Sequence, residues 1–476
     1  MVSAEWERGG HVPGRAGALA VLSLCLLNVF ALAAGSAVVK LTPDRRLTPQ
    51  PPSVAVRDLV RAPASAALSA PALADGRPPN ASALAGRLSA LIGGPRAKIS
   101  AVVVDVATRR PLFEWRADRP ATPASTTKLV TSVAALASVG PAHRITTQVV
   151  RGAGGGIVLV GGGDPTLTVL PARPDAGHPP YASLLDLARQ TATALKASGV
   201  GRVRVDYDTS AYQGPRIAAG WKPNYVPDGE VAPVTALAVD EGRVAPSDPE
   251  KKTRVADPAA AAAQQFTRLL SKYGVSAKVG RSTVAQKGAV RLGAVQSPPM
   301  SALVEHLLTE SDNDVAEAVA RQVAMKLGRP ATFADAAQAV QQVIAKLGVA
   351  QGVLVNDGSG LSTRNRISPI ALAHLVSIAA GDKHPKLRSA ITGLPIAGFS
   401  GTLSPPRYTA AVSRAGAGMV RAKTGTLAGV STLAGLAYDV DGRLLAFALM
   451  AGDGKGPVDP GKLDQLAAAI ASCGCG

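Results

Sequence analysis

Residues 123 to 130 read Pro-Ala-Ser-Thr-Thr-Lys-Leu-Val, and they place Ser125 and Lys128 at the start of an apolar run with helical spacing. The run ends at Gly140-Pro141, a pair that commonly terminates a helix. Residues three positions apart share one face of a helix, so the hydroxyl of Ser125 and the amine of Lys128 can touch. Burial and the positive end of the helix dipole disfavour an ammonium group, which lowers the pKa of a lysine there. A neutral lysine beside a serine is a general base beside a nucleophile.

Two further short patterns follow in the chain. Ser311-Asp312-Asn313 lies between two predicted helices, and Lys423-Thr424-Gly425-Thr426 precedes a predicted strand pair. Taken singly, such patterns are weak, because Ser-x-x-Lys is more often a helix start with a solvated lysine and Ser311 could be only an N-cap. In this order and in these settings, the three patterns form the signature set of penicillin-binding proteins and serine β-lactamases.

The residue types fit acyl transfer, which needs a nucleophile, a base, a proton route to the leaving amine and donors for the oxyanion. We interpret Ser125 as the nucleophile and Lys128 as the base. Ser311 can relay a proton toward the leaving nitrogen, and Asn313 can hydrogen-bond the amide of a substrate.

The third motif predicts substrate binding. Lys423 is expected to lower the pKa of Lys128 further and to attract a terminal carboxylate. Thr424 and Thr426 flank Gly425 and can donate hydroxyl hydrogen bonds to that carboxylate, and an edge strand here lets a peptide add as another strand. No metal or other cofactor is predicted, since the six histidines show no ligand spacing.

The predicted elements indicate an α+β fold in which an antiparallel sheet combines with grouped helices. The interval from Ser125 to Ser311 is far longer than the one helical segment needed to connect the two motifs. We therefore predict an inserted domain at about 144–292, flanked by the two parts of a catalytic domain at 81–143 and 293–472.

The chain resembles the peptidase S13 group, the D-alanyl-D-alanine carboxypeptidase/endopeptidase family of low-molecular-mass, class C type penicillin-binding proteins. The strings that carry the resemblance span residues 162–167 (Gly-Gly-Asp-Pro-Thr-Leu), 357–362 (Asp-Gly-Ser-Gly-Leu-Ser) and 423–427 (Lys-Thr-Gly-Thr-Leu). The resemblance implies a penicillin-binding fold and attack of Ser125 on the D-Ala-D-Ala bond of peptidoglycan stem peptides. It also implies acylation by β-lactams and an oxyanion hole formed by the backbone N–H groups of Ser125 and Thr426.

The N-terminal region predicts attachment to a membrane. A short segment at 1–15 precedes an apolar stretch at 16–39, which is long enough to span a bilayer and favours a retained anchor over a cleaved signal. Residues 40–80 are rich in proline and alanine and predict an extended linker. Together with the implied substrate, these segments predict an extracytoplasmic protein of the cell envelope, either anchored or secreted.

The composition excludes several other classes of protein. The chain carries a formal charge of +18, but its basic residues are scattered and only 3% of its residues are aromatic, so nucleic acid is a poor partner. A Ser-His-Asp hydrolase is disfavoured because Gly-x-Ser-x-Gly is absent. Two alternatives stay open at this point: a β-lactamase or esterase of the same fold, and a non-catalytic protein that binds or senses the cell wall.

Overall fold

The computed structural model describes residues 76–94, 97–171, 179–248 and 250–474. The predicted segments 1–15 and 16–39 lie outside these ranges, as does most of the predicted linker 40–80. Within the described ranges, the structure contains no helix that combines the length and the apolar character needed to cross a bilayer.

A five-stranded antiparallel sheet brings the two ends of the described chain together. Its strands are, in spatial order, β10 (Val420–Leu427), β11 (Val430–Tyr438), β12 (Leu444–Ala451), β1 (Ile99–Asp105) and β2 (Pro111–Trp115). Ala101 of β1 lies opposite Leu449 of β12, so strands from the two ends of the catalytic sequence pair directly. The strand pair predicted after Lys423 is confirmed as β11 and β12. Two short strands, β8 (Val353–Leu354) and β9 (Arg366–Ile367), form a separate antiparallel pair.

Helices cover both faces of this sheet, because successive side chains of a strand point to opposite sides. Val102 and Val104 of β1 pack in the core with α2 and α5 to α9, whereas Ala101 and Val103 pack in the core with α1 and α10. The helices of these two layers are α1 (Ala81–Ile92), α2 (Thr127–Ser138), α5 (Met300–Thr309), α6 (Asn313–Lys326), α7 (Phe333–Lys346), α8 (Pro369–Ala380), α9 (Ser389–Thr392) and α10 (Gly461–Ala471). This is the predicted α+β architecture.

The helix that follows the Ser125 motif lies at the centre of the larger helical layer. All residues of α2 from Thr127 to Leu136 are buried, which is the behaviour of a helix surrounded by protein on every side. The side chain of Lys128 is therefore placed inside the protein by the same packing that fixes the helix.

A second five-stranded sheet, with the order β6-β5-β4-β3-β7, lies between the first and second motifs of the chain. β4, β5 and β6 are parallel, and β3 pairs antiparallel with β4 and β7. Helices α3 and α4 share a separate hydrophobic core with this sheet. The elements are β3 (Thr146–Arg151), β4 (Ile157–Val160), α3 (Leu184–Ala197), β5 (Arg202–Asp208), α4 (Pro258–Lys272), β6 (Ser276–Ser282) and β7 (Arg291–Gln296).

We propose that this separate core defines the inserted domain, and that the domain extends to the end of β7, past the predicted boundary at residue 292. The strands β6 and β7 were not predicted from the sequence. β6 is mostly exposed and polar, so it has no alternation of apolar residues that would reveal it.

A long connection between β5 and α4 joins this domain to the helical layer. Trp221, Tyr225 and Val231 of the connection pack against Phe333 of α7 and Leu361 in one small hydrophobic cluster. The connection thereby reaches the loops that surround Ser125.

Candidate active site

Ser125 lies in a single 3-10 turn, Ala124–Thr126, that runs directly into α2. The chain enters this turn through Ala124, whose φ of 48° lies in the left-handed region. Thr126 and Thr432 of β11 both donate hydroxyl hydrogen bonds to the Pro123 carbonyl, at 2.6 and 2.8 Å. These bonds fasten the turn to the sheet, while Ser125 alone of residues 123–128 remains partly exposed.

Lys128 is fully buried and is directed at Ser125. Its Nζ lies 3.0 Å from Ser125 Oγ, 2.6 Å from Asn313 Oδ1 and 2.8 Å from the Ser359 carbonyl oxygen. Burial lowers the pKa of Lys128 to about 8, and the nearby carboxylates, Asp357 first among them, limit the fall. The lysine therefore exchanges its proton near neutral pH, as a general base must.

The second motif brings Ser311 and Asn313 into the same site. Ser311 has a φ of 61°, and its Oγ accepts a hydrogen bond from Lys423 Nζ at 2.8 Å. Asn313 is the first residue of α6. Its Oδ1 accepts from Lys128, and its Nδ2 donates to the Glu230 carbonyl at 2.8 Å. The N-cap of α6 is Asp312, whose carboxylate accepts from the Val315 N–H, so Ser311 is free of that structural role.

Lys423 lies on β10, and its side chain is fully buried. Its Nζ donates to Ser311 Oγ and to the Thr424 carbonyl, at 2.8 and 2.9 Å. Burial lowers the pKa of Lys423 well below its usual value, and repulsion from Lys128 and Arg407 lowers it further.

Burial is the largest cause of the lowered pKa of Lys128. The two buried amines also repel each other when both are protonated, which further disfavours two charges in the same site.

Within the described residues, the outer edge of β10 is paired with another segment along its first half and unpaired along its second half. The segment 395–397 pairs with Val420 to Ala422, and Ala422 donates its N–H to the Pro395 carbonyl. Beyond Lys423, the side chain of Thr424 is almost buried with its Oγ1 2.7 Å from Thr402 Oγ1, whereas Thr426 is exposed. This free edge borders Ser125.

Gly425 allows β10 to lie directly against the turn that carries Ser125. A Cβ at this position would lie 2.9 Å from the Ser125 backbone nitrogen and 2.2 Å from Thr432 Oγ1, both closer than real Cβ contacts. Only glycine fits, and the strand backbone therefore reaches the nucleophile.

Several residues around this site carried no role in the sequence analysis. Ser359 accepts from Lys128 through its backbone carbonyl, and Asp357 accepts from Trp221 Nε1 at 2.8 Å. The string at 357–362 was visible as a family resemblance, but a backbone carbonyl leaves no mark on residue type. The role of Ser359 could not have been read from the sequence.

An acidic cluster lies behind the second motif. Glu241, His306 and Asp312 offer ligand atoms within 4.8 Å of one another. Glu241 is already paired with Arg243 and Arg254, and Arg254 Nη2 also pairs with Asp314 at 3.0 Å. Burial raises the pKa of Glu241 to about 8 and that of Asp314 to about 7. Arg243 and Arg254 pair with these acids, and the ion pairs connect Glu241, in the segment between β5 and α4, to Asp314 at the start of α6.

The fold and the site together define a class of protein: a serine acyl-transfer enzyme of the penicillin-binding type. A partly exposed serine faces a buried lysine, a second lysine contacts a second serine, and a free strand edge borders both. The crystal structure of penicillin binding protein 4 from Haemophilus influenzae shares this fold, with a TM-score of 0.63 and 22% identity over 82% of this chain and 98% of that chain.

Comparison of sequences identifies the family. The model of the D-Ala-D-Ala carboxypeptidase 3 (S13) family matches residues 84–253 and 248–472. The chain is 36% identical to the carboxypeptidase DacB of Mycolicibacterium smegmatis over 480 residues, which cover 100% of both chains. It is also 36% identical to a carboxypeptidase of Mycobacterium tuberculosis over 403 residues, 83% of this chain and 85% of the relative. The chain belongs to the S13 family and is a serine-type D-Ala-D-Ala carboxypeptidase.

Proposed function

We propose that the enzyme cleaves the terminal D-Ala-D-Ala bond of peptidoglycan stem peptides through an ester between the substrate and Ser125. The observation that carries this assignment is the position of Lys128, whose buried amine lies 3.0 Å from Ser125 Oγ with its pKa lowered to about 8. A base with a pKa near the working pH is the most effective proton acceptor.

In the first step, Lys128 takes the hydroxyl proton of Ser125 as the Oγ attacks the carbonyl carbon of the scissile bond. The backbone N–H groups of Ser125 and Thr426 stabilise the oxyanion. The close approach of Gly425 to the Ser125 nitrogen supports this assignment, because it places the backbone of β10 beside that N–H group.

In the second step, the tetrahedral intermediate collapses and D-alanine leaves with a proton on its nitrogen. Ser311 relays that proton, and the bond from Lys423 Nζ to Ser311 Oγ supports this role. Asn313 fixes Lys128 through Oδ1 and presents the amide that hydrogen-bonds the substrate backbone. Water then attacks the ester and releases the shortened peptide.

Lys423 attracts the terminal carboxylate of the substrate, and Thr424 and Thr426 donate their hydroxyls to it. The burial of an uncompensated amine supports this role, because an arriving carboxylate supplies the missing opposite charge. The free second half of the β10 edge is available to pair with the substrate as an added strand.

The substrate places the enzyme outside the cytoplasm, in the cell envelope. We include in this proposal membrane attachment through residues 16–39 and cleavage of peptide cross-links by the same chemistry, as an endopeptidase. β-Lactams resemble the scissile bond and acylate Ser125.

The test is to incubate the protein with penicillin, digest it and locate the adduct by mass spectrometry. We expect a penicilloyl group on the peptide that contains Ser125, none in the Ser125→Ala variant, and an unchanged adduct in Ser138→Ala, which removes a hydroxyl at the other end of α2. A folded protein without an adduct would refute the assignment. Rapid turnover of a chromogenic cephalosporin, instead of a long-lived adduct, would favour the β-lactamase alternative.

A further inference from the structure

The loop at residues 357–362 lies beneath the catalytic lysine and is tied to α2 by two side chains. Lys128 Nζ donates to the Ser359 carbonyl at 2.8 Å, and Thr131 Oγ1, one turn further along α2, donates to the Gly358 carbonyl at 2.7 Å. Two consecutive carbonyl groups of the loop therefore face the same side of α2.

Glu317 of α6 holds the loop from the opposite side. Its carboxylate accepts hydrogen bonds from the N–H groups of Gly358 and Ser359, with Oε1 distances of 3.1 and 2.8 Å. The side chain is almost completely buried and lies 3.4 Å from Arg321 Nη1. Burial raises the pKa of Glu317, but its oxygens face only N–H donors, which suits the ionised form.

Two glycines let the loop fit into this narrow space. A Cβ at Gly358 would lie 2.6 Å from the Ala316 carbonyl oxygen, and one at Gly360 would lie 1.9 Å from the Ala124 carbonyl oxygen. Gly360 also has a φ of 90°, which other residues rarely adopt. The loop is thus wedged between α6 and the turn that carries Ser125.

Asp357 orders the remainder of the loop. Its carboxylate accepts from the N–H groups of Gly360 and Ser362, at 3.0 and 2.6 Å, and from Asn365 Nδ2 at 2.7 Å. The charged groups that act on Lys128 are therefore Asp357 from the loop, Glu317 and the Asp312–Asp314 pair from α6 and its cap, and Lys423 from β10.

The hydrogen bonds of Lys128 decide where its lone pair points. A neutral amine has two N–H donors and one lone pair, and three oxygen atoms surround Nζ. The Asn313 and Ser359 oxygens are carbonyl acceptors and can only take the two N–H groups. The lone pair is left facing Ser125 Oγ, whose hydroxyl is the proton donor in the first step.

We propose that Glu317 is a positioning residue for acylation: it holds the Ser359 carbonyl against Lys128, so that the lone pair of the neutral amine faces the Ser125 hydroxyl. This inference rests on the proposed role of Lys128 as the base. Glu317 touches neither the substrate nor the reacting atoms and acts through the backbone of the loop.

The test compares the rate of Ser125 acylation by penicillin between pH 5.5 and 9 in the full chain and in Glu317→Gln. An amide at this position has an NH₂ group where the carboxylate now accepts hydrogen bonds, so a donor would face a donor and the hold on the loop would weaken. The acylation rate should therefore fall about 10- to 100-fold. Removing a negative charge also disfavours the protonated form of Lys128, so the midpoint of the rise of rate with pH should move to lower pH.

Asp105→Asn is the matched control, because Asp105 is an equally buried carboxylate paired with an arginine, Arg443, that lies outside the group of charges acting on Lys128. Its acylation rate and midpoint should stay at the wild-type values even if the variant is less stable. A Glu317→Gln rate and midpoint equal to wild type would overturn the proposal while leaving the role of Ser125 intact.

A second variant keeps the proposal testable if Glu317→Gln does not fold. Thr131→Val removes the other bond between α2 and the loop without changing charge. Its acylation rate should fall by a factor of about 3 to 10, with the midpoint unchanged. A wild-type rate in Thr131→Val would then refute the positioning role. Failure of the wild-type enzyme to form the adduct would instead refute the proposed function itself.

Discussion

Lys128 and Lys423 are both fully buried at the same site, yet their surroundings carry opposite charge. The carboxylates of Asp357, Asp312 and Glu317 act on Lys128, and its pKa falls only to about 8. Lys423 faces two cations, Lys128 and Arg407, with Glu310 as its opposing acid, and its pKa falls well below the usual value. Equal burial therefore leaves the two lysines with different pKa values, because the charges around them differ.

The difference separates proton transfer from substrate recognition. An amine balanced by carboxylates can lose and regain a proton near neutral pH, as the base in acyl transfer must. An amine with little opposing charge is best stabilised by an anion supplied from outside, and the substrate of a carboxypeptidase carries one on its last residue. Substitution of each lysine should therefore affect different measurements.

The largest effect is expected from Lys128→Ala. Without the base, acylation of Ser125 should fall by about 10³- to 10⁴-fold for every substrate, whether or not it carries a terminal carboxylate. The measurement is the rate of adduct formation with penicillin, alongside Lys346→Ala as a control at an exposed lysine. Near-normal acylation by a folded Lys128→Ala would show that Lys128 is not the base, and the distinction between the two lysines would collapse.

Lys423→Ala should have a smaller and more selective effect. The measurement is kcat/KM for two peptides that end in D-Ala-D-Ala, one with a free C-terminal carboxylate and one with a C-terminal amide. The value for the carboxylate peptide should fall about 10- to 100-fold more than the value for the amide, because only the carboxylate loses a charged hydrogen bond. Equal losses for the two peptides would assign Lys423 to proton transfer through Ser311 and not to the carboxylate.

The smallest effect concerns stability. A pKa lowered from 10.5 to about 8 means that burying protonated Lys128 costs roughly 3 kcal/mol at pH 7. A substitution removes this cost, but it also leaves the hydrogen-bond acceptors of Lys128 unpaired, which cancels part of the gain. Lys128→Met should therefore raise the free energy of unfolding by about 1 kcal/mol, and Lys423→Met should raise it more.

The pH dependence of that gain provides a check of its cause. The cost of the buried ammonium is fully present below the folded pKa and disappears as the pH rises from about 8 to 10.5. Denaturant unfolding at pH 7 and pH 10 should show the gain shrinking at the higher pH. A gain that is the same at both values would mean that improved packing, and not the removal of a buried charge, stabilises the variant.

The sequence predicted the elements of the catalytic domain well, because their signals are local. The apolar period after Ser125 predicted α2, and the strand pair predicted after Lys423 is the pair formed by β11 and β12. It did not predict β6, whose side chains are mostly exposed, or the N-cap role of Asp312. Those features depend on neighbouring strands and on a loop geometry that residue types do not specify.

The sequence by itself determined that Ser125 and Lys128 meet, since three positions along a helix place two side chains on one face whatever surrounds them. Only the tertiary structure decided what kind of amine Lys128 is. Its partners Asn313 and Ser359 lie 185 and 231 residues away along the chain, and the loop of Ser359 reaches it only because Glu317 and two glycines allow the close approach. Charge and hydrogen bonding at a buried atom are sums over everything packed around it, and that sum exists only in the folded protein.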